Sequence, residues 1–112
     1  MTSHFLSGYQ ILWLLVMFDL PVDTPENRKA ASKFREYLLD EGFEMSQFSV
    51  YLRFCKGKEQ AETYIGRIGK NLPEYGKVNI LTFTDKQYEN IVSFTGRTRD
   101  PAGKNPSQLA MF

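Results

Sequence analysis

Residues 11–21, ILWLLVMFDLP, are apolar without alternation until Asp19, a pattern that predicts a central strand covered on both faces. Pro21 then forbids the ladder from continuing. In the following stretch Ala30, Ala31, Phe34, Tyr37 and Leu38 recur at three-to-four-residue spacing and predict a helix. Its start has two readings, Asp23 with Glu26 at capping-box spacing or Thr24 as N-cap with Pro25 at the first helical position, and Gly42 supplies the stop. Residues 43–55, FEMSQFSVYLRFC, return to a period of two, but the parity of the large apolar residues switches across Ser46 and Gln47. Only a bulge or a tight turn allows that switch; two short strands are the favoured reading, with Phe48, Val50, Leu52 and Phe54 on a core face.

Residues 58–72 read as a second helix that sets Ala61, Tyr64, Ile65, Ile68 and Leu72 on one face and ends at Pro73. Gly66 and Gly69 cost this helix about 1 kcal/mol each and point to close packing. Glu74, Tyr75 and Gly76 form a turn, residues 77–85 a strand, residues 85–90 a turn or one helical turn, and residues 91–95 a further short strand. Residues 96–107 are expected to be a mobile basic loop, and the closing QLAMF to dock on this sheet or another chain's.

Strand, helix, strand pair, helix, strand is the split βαβ order of an α+β, ferredoxin-like βαββαβ sandwich. The division expected is an extension over 1–10, the sandwich over 11–96, and a basic loop with a docking segment over 97–112. The extra C-terminal strands must extend an edge or cross to a second subunit, and a helix-free sheet face needs cover. Both needs point to a homodimer.

The 112 residues suffice for one core burying roughly 65 % of the unfolded surface. Fourteen Lys and Arg against thirteen Asp and Glu give a net charge of +1, so any phosphate binding must come from a local patch. The lone Cys55 falls in an apolar run and forms no intrachain disulfide, which fits a reducing compartment. The apolar run near the N-terminus is shorter than the ~20 residues a membrane span needs and no Lys or Arg precedes it, so the expectation is a soluble, cytoplasmic protein.

Cys55 and a terminal His4 make no nucleophile pair, and zinc-ligand spacing and phosphate-cradling glycine motifs are both missing. Oxygen-ligand metal chemistry and phosphate recognition are left. Asp19, at the end of a rigid strand, is the best metal candidate, although an aspartate there also serves in local turn hydrogen bonds. Asp23 is better read as a cap, and Asp85 and Asp100 as turn residues. QFSVYLRF superficially resembles the aromatic strand of an RNA-recognition module but lacks its glycines.

The MFDLP strand end, the TPENRKAASKFREYLLDEGF helix and QFSVY directly after it resemble the small CRISPR-associated adaptation proteins of the Cas2 family. The similarity continues through IGRI and ILTFTDKQY and covers residues 11–96. DLP, EGF and QFSVY look most like members that accompany single-effector, Cas9-type systems. The resemblance implies a homodimer whose chains exchange C-terminal strands, held between dimers of the spacer integrase and bridging captured double-stranded DNA. It also implies, for some members, a magnesium-dependent nuclease acting on RNA or DNA. The implied catalytic and metal-binding residue is Asp19, with Phe18 before it and Ser49 near the dimer cleft. Arg28, Lys29, Lys33, Arg35, Arg97 and Arg99 are the candidates for contacting the duplex backbone. Scaffold comes first in this reading and nuclease second. The rivals are a ferredoxin-like regulatory domain that binds a metabolite, and a toxin-like endoribonuclease.

Overall fold

The apolar run forms β1 (Leu12–Asp19), and it lies inside the sheet as its pattern requires. The computed structural model describes residues 10–101. After β1 come α1 (Pro25–Asp40), β2 (Glu44–Gln47), β3 (Val50–Cys55), α2 (Lys58–Gly69), β4 (Lys77–Thr84), the short α3 (Asp85–Glu89), β5 (Phe94–Thr95) and β6 (Thr98–Arg99). Four strands make one sheet in the order β2-β3-β1-β4, with every neighbouring pair antiparallel. With α1 and α2 on one face, this is the ferredoxin-like sandwich.

Directly paired residues project to the same side of a sheet, so the register sorts the side chains into two faces. Leu14, Val16 and Phe18 of β1 join Tyr51 and Cys55 of β3 beneath Phe34 and Leu38 of α1 and Ala61 and Ile68 of α2. Each large side chain buried there contributes about 1.5–3 kcal/mol. Trp13, Leu15, Met17 and Asp19 project the other way, in register with Phe54, Leu52 and Val50 of β3 and with Phe83, Leu81, Asn79 and Lys77 of β4.

Among the described residues, that second face is covered only at one end. Tyr88 of α3 stacks on Trp13, ring centroids 4.2 Å apart, and the Trp13 indole N–H donates to Asp85 at 2.9 Å. Leu52 completes this small cluster, whereas Met17, Phe54 and Leu81 are 39 %, 46 % and 50 % exposed. Among the described residues, α1 and α2 cover one face of the first strand and α3 covers the Trp13 end of the other.

Local chemistry explains the helix ends. Thr24 is the N-cap of α1, its hydroxyl accepting the Asn27 N–H at 3.0 Å, while Asp23 accepts from the Asn27 side chain. At the other end Gly42 has φ +89°, and the Gly42 and Phe43 N–H groups return to the carbonyls of Leu39 and Leu38 in a Schellman motif. Arg53 fastens this corner, donating to the Glu41 carbonyl at 2.8 Å and to the Tyr64 hydroxyl at 2.6 Å while lying over the Tyr64 ring.

The parity switch is two strands, as favoured, joined through Phe48 and Ser49, with a register irregularity between Met45 and Gln47 as well. Other readings need correction. Phe48 belongs to the turn and is 92 % exposed, so it is no core residue. Helix α2 stops at Gly69, and Leu72, the residue that Pro73 disfavours in helical geometry, lies outside it, half exposed. A Cβ added at Gly66 or Gly69 would meet nothing within 4 Å, so close packing does not explain these glycines. Residues 91–93 are not strand, and Arg97 and Arg99 belong to a β5–β6 hairpin instead of a loop. In it the Thr95 hydroxyl donates to Asp100, whose own N–H donates to the Ser93 carbonyl. His4 and the closing QLAMF lie outside the described residues.

Candidate functional site

Asp19 ends β1 with its side chain exposed on the face opposite α1 and α2, facing Lys77 of β4 in register. Three features fix its backbone. Phe18, one residue earlier, is anchored in the helix-side core, edge-on to Phe34 at 5.2 Å and beside Tyr51. The Phe18 N–H donates to the Ser49 carbonyl at 3.0 Å, which joins the β2–β3 turn to the strand end. Ser49 has φ +62°, a left-handed conformation that costs a non-glycine residue roughly 1 kcal/mol.

The third feature is Gly76, which the sequence marks only as part of a turn. Its φ is +103°, and a Cβ there would stand 2.8 Å from the Asp19 carbonyl oxygen and 2.7 Å from the Leu20 side chain. Glycine is thus required where the lead-in to β4 passes the end of β1.

The basic residues fall into three groups. Arg28 and Arg35 lie two turns apart along α1; Arg28 donates to the Val22 carbonyl at 3.0 Å, in the link that follows Asp19, and Arg35 donates to Ser32. Lys29 and Lys33 are one turn apart on another row and are exposed. Arg97 lies at the tip of the hairpin and Arg99 opposite Phe94, in a two-stranded sheet separate from the main one. Only Arg28 is joined by a hydrogen bond to the segment that carries on from Asp19.

Other ionisable groups are structural. Burial pushes the Cys55 thiol up, which disfavours the reactive thiolate. The Tyr88 hydroxyl is pushed up by burial, then by Asp85 and Glu44, and is buried without a hydrogen-bond partner among the described residues. Arg67 pairs with Glu41 at 3.2 Å. Among the described residues no three His, Cys, Asp or Glu side chains gather into a metal site, and no helix is long and apolar enough to cross a membrane. The chemistry available is one exposed carboxylate on a rigid strand end, beside a lysine and at the rim of an apolar face.

The family model described as CRISPR associated protein Cas2 matches residues 12–91. The chain belongs to the Cas2 family. It is 56 % identical over 107 residues to the CRISPR-associated endoribonuclease Cas2 of Paracidovorax avenae, covering 96 % of this chain and 99 % of that relative. The Cas2 of the same description from Flavobacterium psychrophilum is 47 % identical, with 96 % of this chain and 93 % of the relative covered. That of Parvibaculum lavamentivorans is 46 % identical over 90 % of this chain and its own full length. The Cas2 match takes in β1 with Asp19, both long helices and α3, and ends before the β5–β6 hairpin.

Proposed function

We propose that two copies of this chain pair through the sheet faces opposite α1 and α2, and that the dimer serves CRISPR adaptation by bridging spacer-integrase dimers along a captured DNA duplex. The observation that carries the reading is the face itself: Met17, Phe54 and Leu81 lie exposed on the same sheet surface, an apolar area that a second identical surface would cover. Pairing would leave the helices outward, with Lys29, Lys33, Arg28 and Arg35 on them free to meet phosphates, each contact adding roughly 0.9 to the salt slope of binding. A short hairpin such as β5–β6 is marginal by itself and is supported by docking on the partner's sheet. A cytoplasmic protein of a single-effector, Cas9-type system is the setting this reading adopts.

The test is sedimentation velocity combined with duplex binding across a salt series, for the wild type and Leu81→Lys. A dimeric wild type whose variant is monomeric and no longer co-purifies with integrase supports the proposal; a monomeric wild type overturns it.

A second reading, metal-dependent nuclease on RNA or DNA, is favoured by the name endoribonuclease carried by the relatives and by the rigid mounting of Asp19. One carboxylate per chain is sparse, but magnesium takes only one or two protein carboxylates with water and substrate phosphate, so Asp19 from each of two chains fits it. Bound there, the ion would supply an activated water and shield phosphate charge. The chain's own part is to hold the carboxylate still through Ser49 and Gly76.

A further inference from the structure

Asp19 and Lys77 face one another across the outermost row of the β1–β4 ladder, both exposed, on the face opposite α1 and α2. Directly opposed residues on neighbouring strands hold their Cβ atoms about 4.5–5.5 Å apart, within reach of a lysine stem. The backbone fixes that spacing, because Gly76, the residue before Lys77, packs against the Asp19 carbonyl oxygen. The next row on this face is uncharged: Gln47, Val50, Met17 and Asn79 lie side by side across β2, β3, β1 and β4. Beyond it come Glu44, Leu52, Leu15 and Leu81, whose one charge stands at the far β2 edge. Among the described residues neither Asp19 nor Lys77 gives its side chain to a hydrogen bond or ion pair elsewhere.

Pairing two copies through this face sets a problem of charge. A two-fold seam presents the same patch from both sides, so whatever carboxylate one copy brings to the rim the other brings as well. Two Asp19 carboxylates beside an apolar, poorly solvated seam repel one another. They are neutralised either by a cation from solution or by a positive group of the chain itself. Lys77 is such a group, on the same face and one strand away, so that Asp19 and Lys77 together add no net charge to the rim.

We infer that Lys77 is the counter-charge of Asp19, which lets the two faces close without a divalent cation and makes magnesium compete with the ammonium for the carboxylates. The inference rests on the paired faces proposed above and gives the pair a role that needs no cleavage. An edge-strand lysine also guards its strand against a wrong neighbour, but that duty requires no carboxylate opposite.

The experiment is sedimentation equilibrium of the full chain at low ionic strength, in EDTA or in magnesium, for the wild type, Lys77→Gln, Lys77→Arg, Asp19→Ala and the Asp19→Ala, Lys77→Gln double variant. The wild-type dimer is expected to be equally tight in both buffers. Lys77→Gln should weaken it about fivefold in EDTA, with magnesium restoring it, whereas Lys77→Arg should behave as the wild type. In the Asp19→Ala background Lys77→Gln should have no effect, as a double-mutant cycle requires of two groups that act on each other. A Lys77→Gln dimer as tight as the wild type in EDTA overturns the inference. So does a loss that magnesium fails to restore, a loss that persists in the Asp19→Ala background, or a wild type that dimerises only in magnesium. A wild type that is monomeric in both buffers overturns the paired faces themselves, and the inference with them.

Discussion

Tyr88 combines a stacking role with a buried polar atom that bonds to none of the described residues. Its ring covers Trp13, while its hydroxyl is buried without a partner among the described residues. Burial, then Asp85 and Glu44, raise its pKa above the ordinary 10.0. The folded chain therefore keeps a proton that the unfolded chain releases near pH 10. The associated stability is whole below that pH and is lost as pH rises through the folded value. Tyr88→Phe keeps the ring and removes the hydroxyl, so urea unfolding at neutral pH should show stability unchanged or raised by about 1 kcal/mol, and the loss above pH 10 should be smaller than in the wild type. At this scale the sequence is informative where chemistry is local. An apolar run that stops at Asp19 places the carboxylate at a strand end, and Thr24 with Pro25 marks a helix start. Gly76 was not legible as a support of Asp19, because the close approach that demands glycine joins segments far apart in the chain. Phe48 was misread because a period-two pattern does not distinguish a strand residue from the turn beside it.

Among the elements, α1 reads cleanly from its caps and stripe, and α2 shows where periodicity overreaches. Its apolar spacing runs on to Leu72, but hydrogen bonding ends at Gly69, ahead of Pro73. Gly66 lies inside α2 with open space where a Cβ would stand. Gly66→Ala should therefore stabilise the chain by about 0.5–1 kcal/mol, read as a higher urea midpoint with unchanged slope. A loss of stability would mean that something does pack against Gly66, such as a partner outside the chain. The parity switch near Ser46 was legible as a discontinuity, whereas its form was not, since a turn and a bulge leave the same mark and the chain uses both. Arg97 and Arg99 were read as loop because a two-residue strand is too short to show a period.

For the whole molecule, the order of elements was enough to give the ferredoxin-like sandwich, because two helices separated by a strand pair cover one face of an antiparallel sheet. What sits on the other face is not written in any one element. Half-exposed Met17, Phe54 and Leu81 come together only through the register of three strands, and Asp19 sits at the rim of that surface. In the proposed function this surface is the seam of a bridging dimer, and the carboxylate beside it is dispensable for the bridge. The most direct test is insertion of a short duplex into a CRISPR array by the cognate integrase, with wild-type protein or Asp19→Ala. Asp19→Ala is expected to dimerise, assemble with integrase and support insertion at the wild-type rate. An Asp19→Ala complex that assembles normally but inserts nothing would contradict it and make the carboxylate the working group.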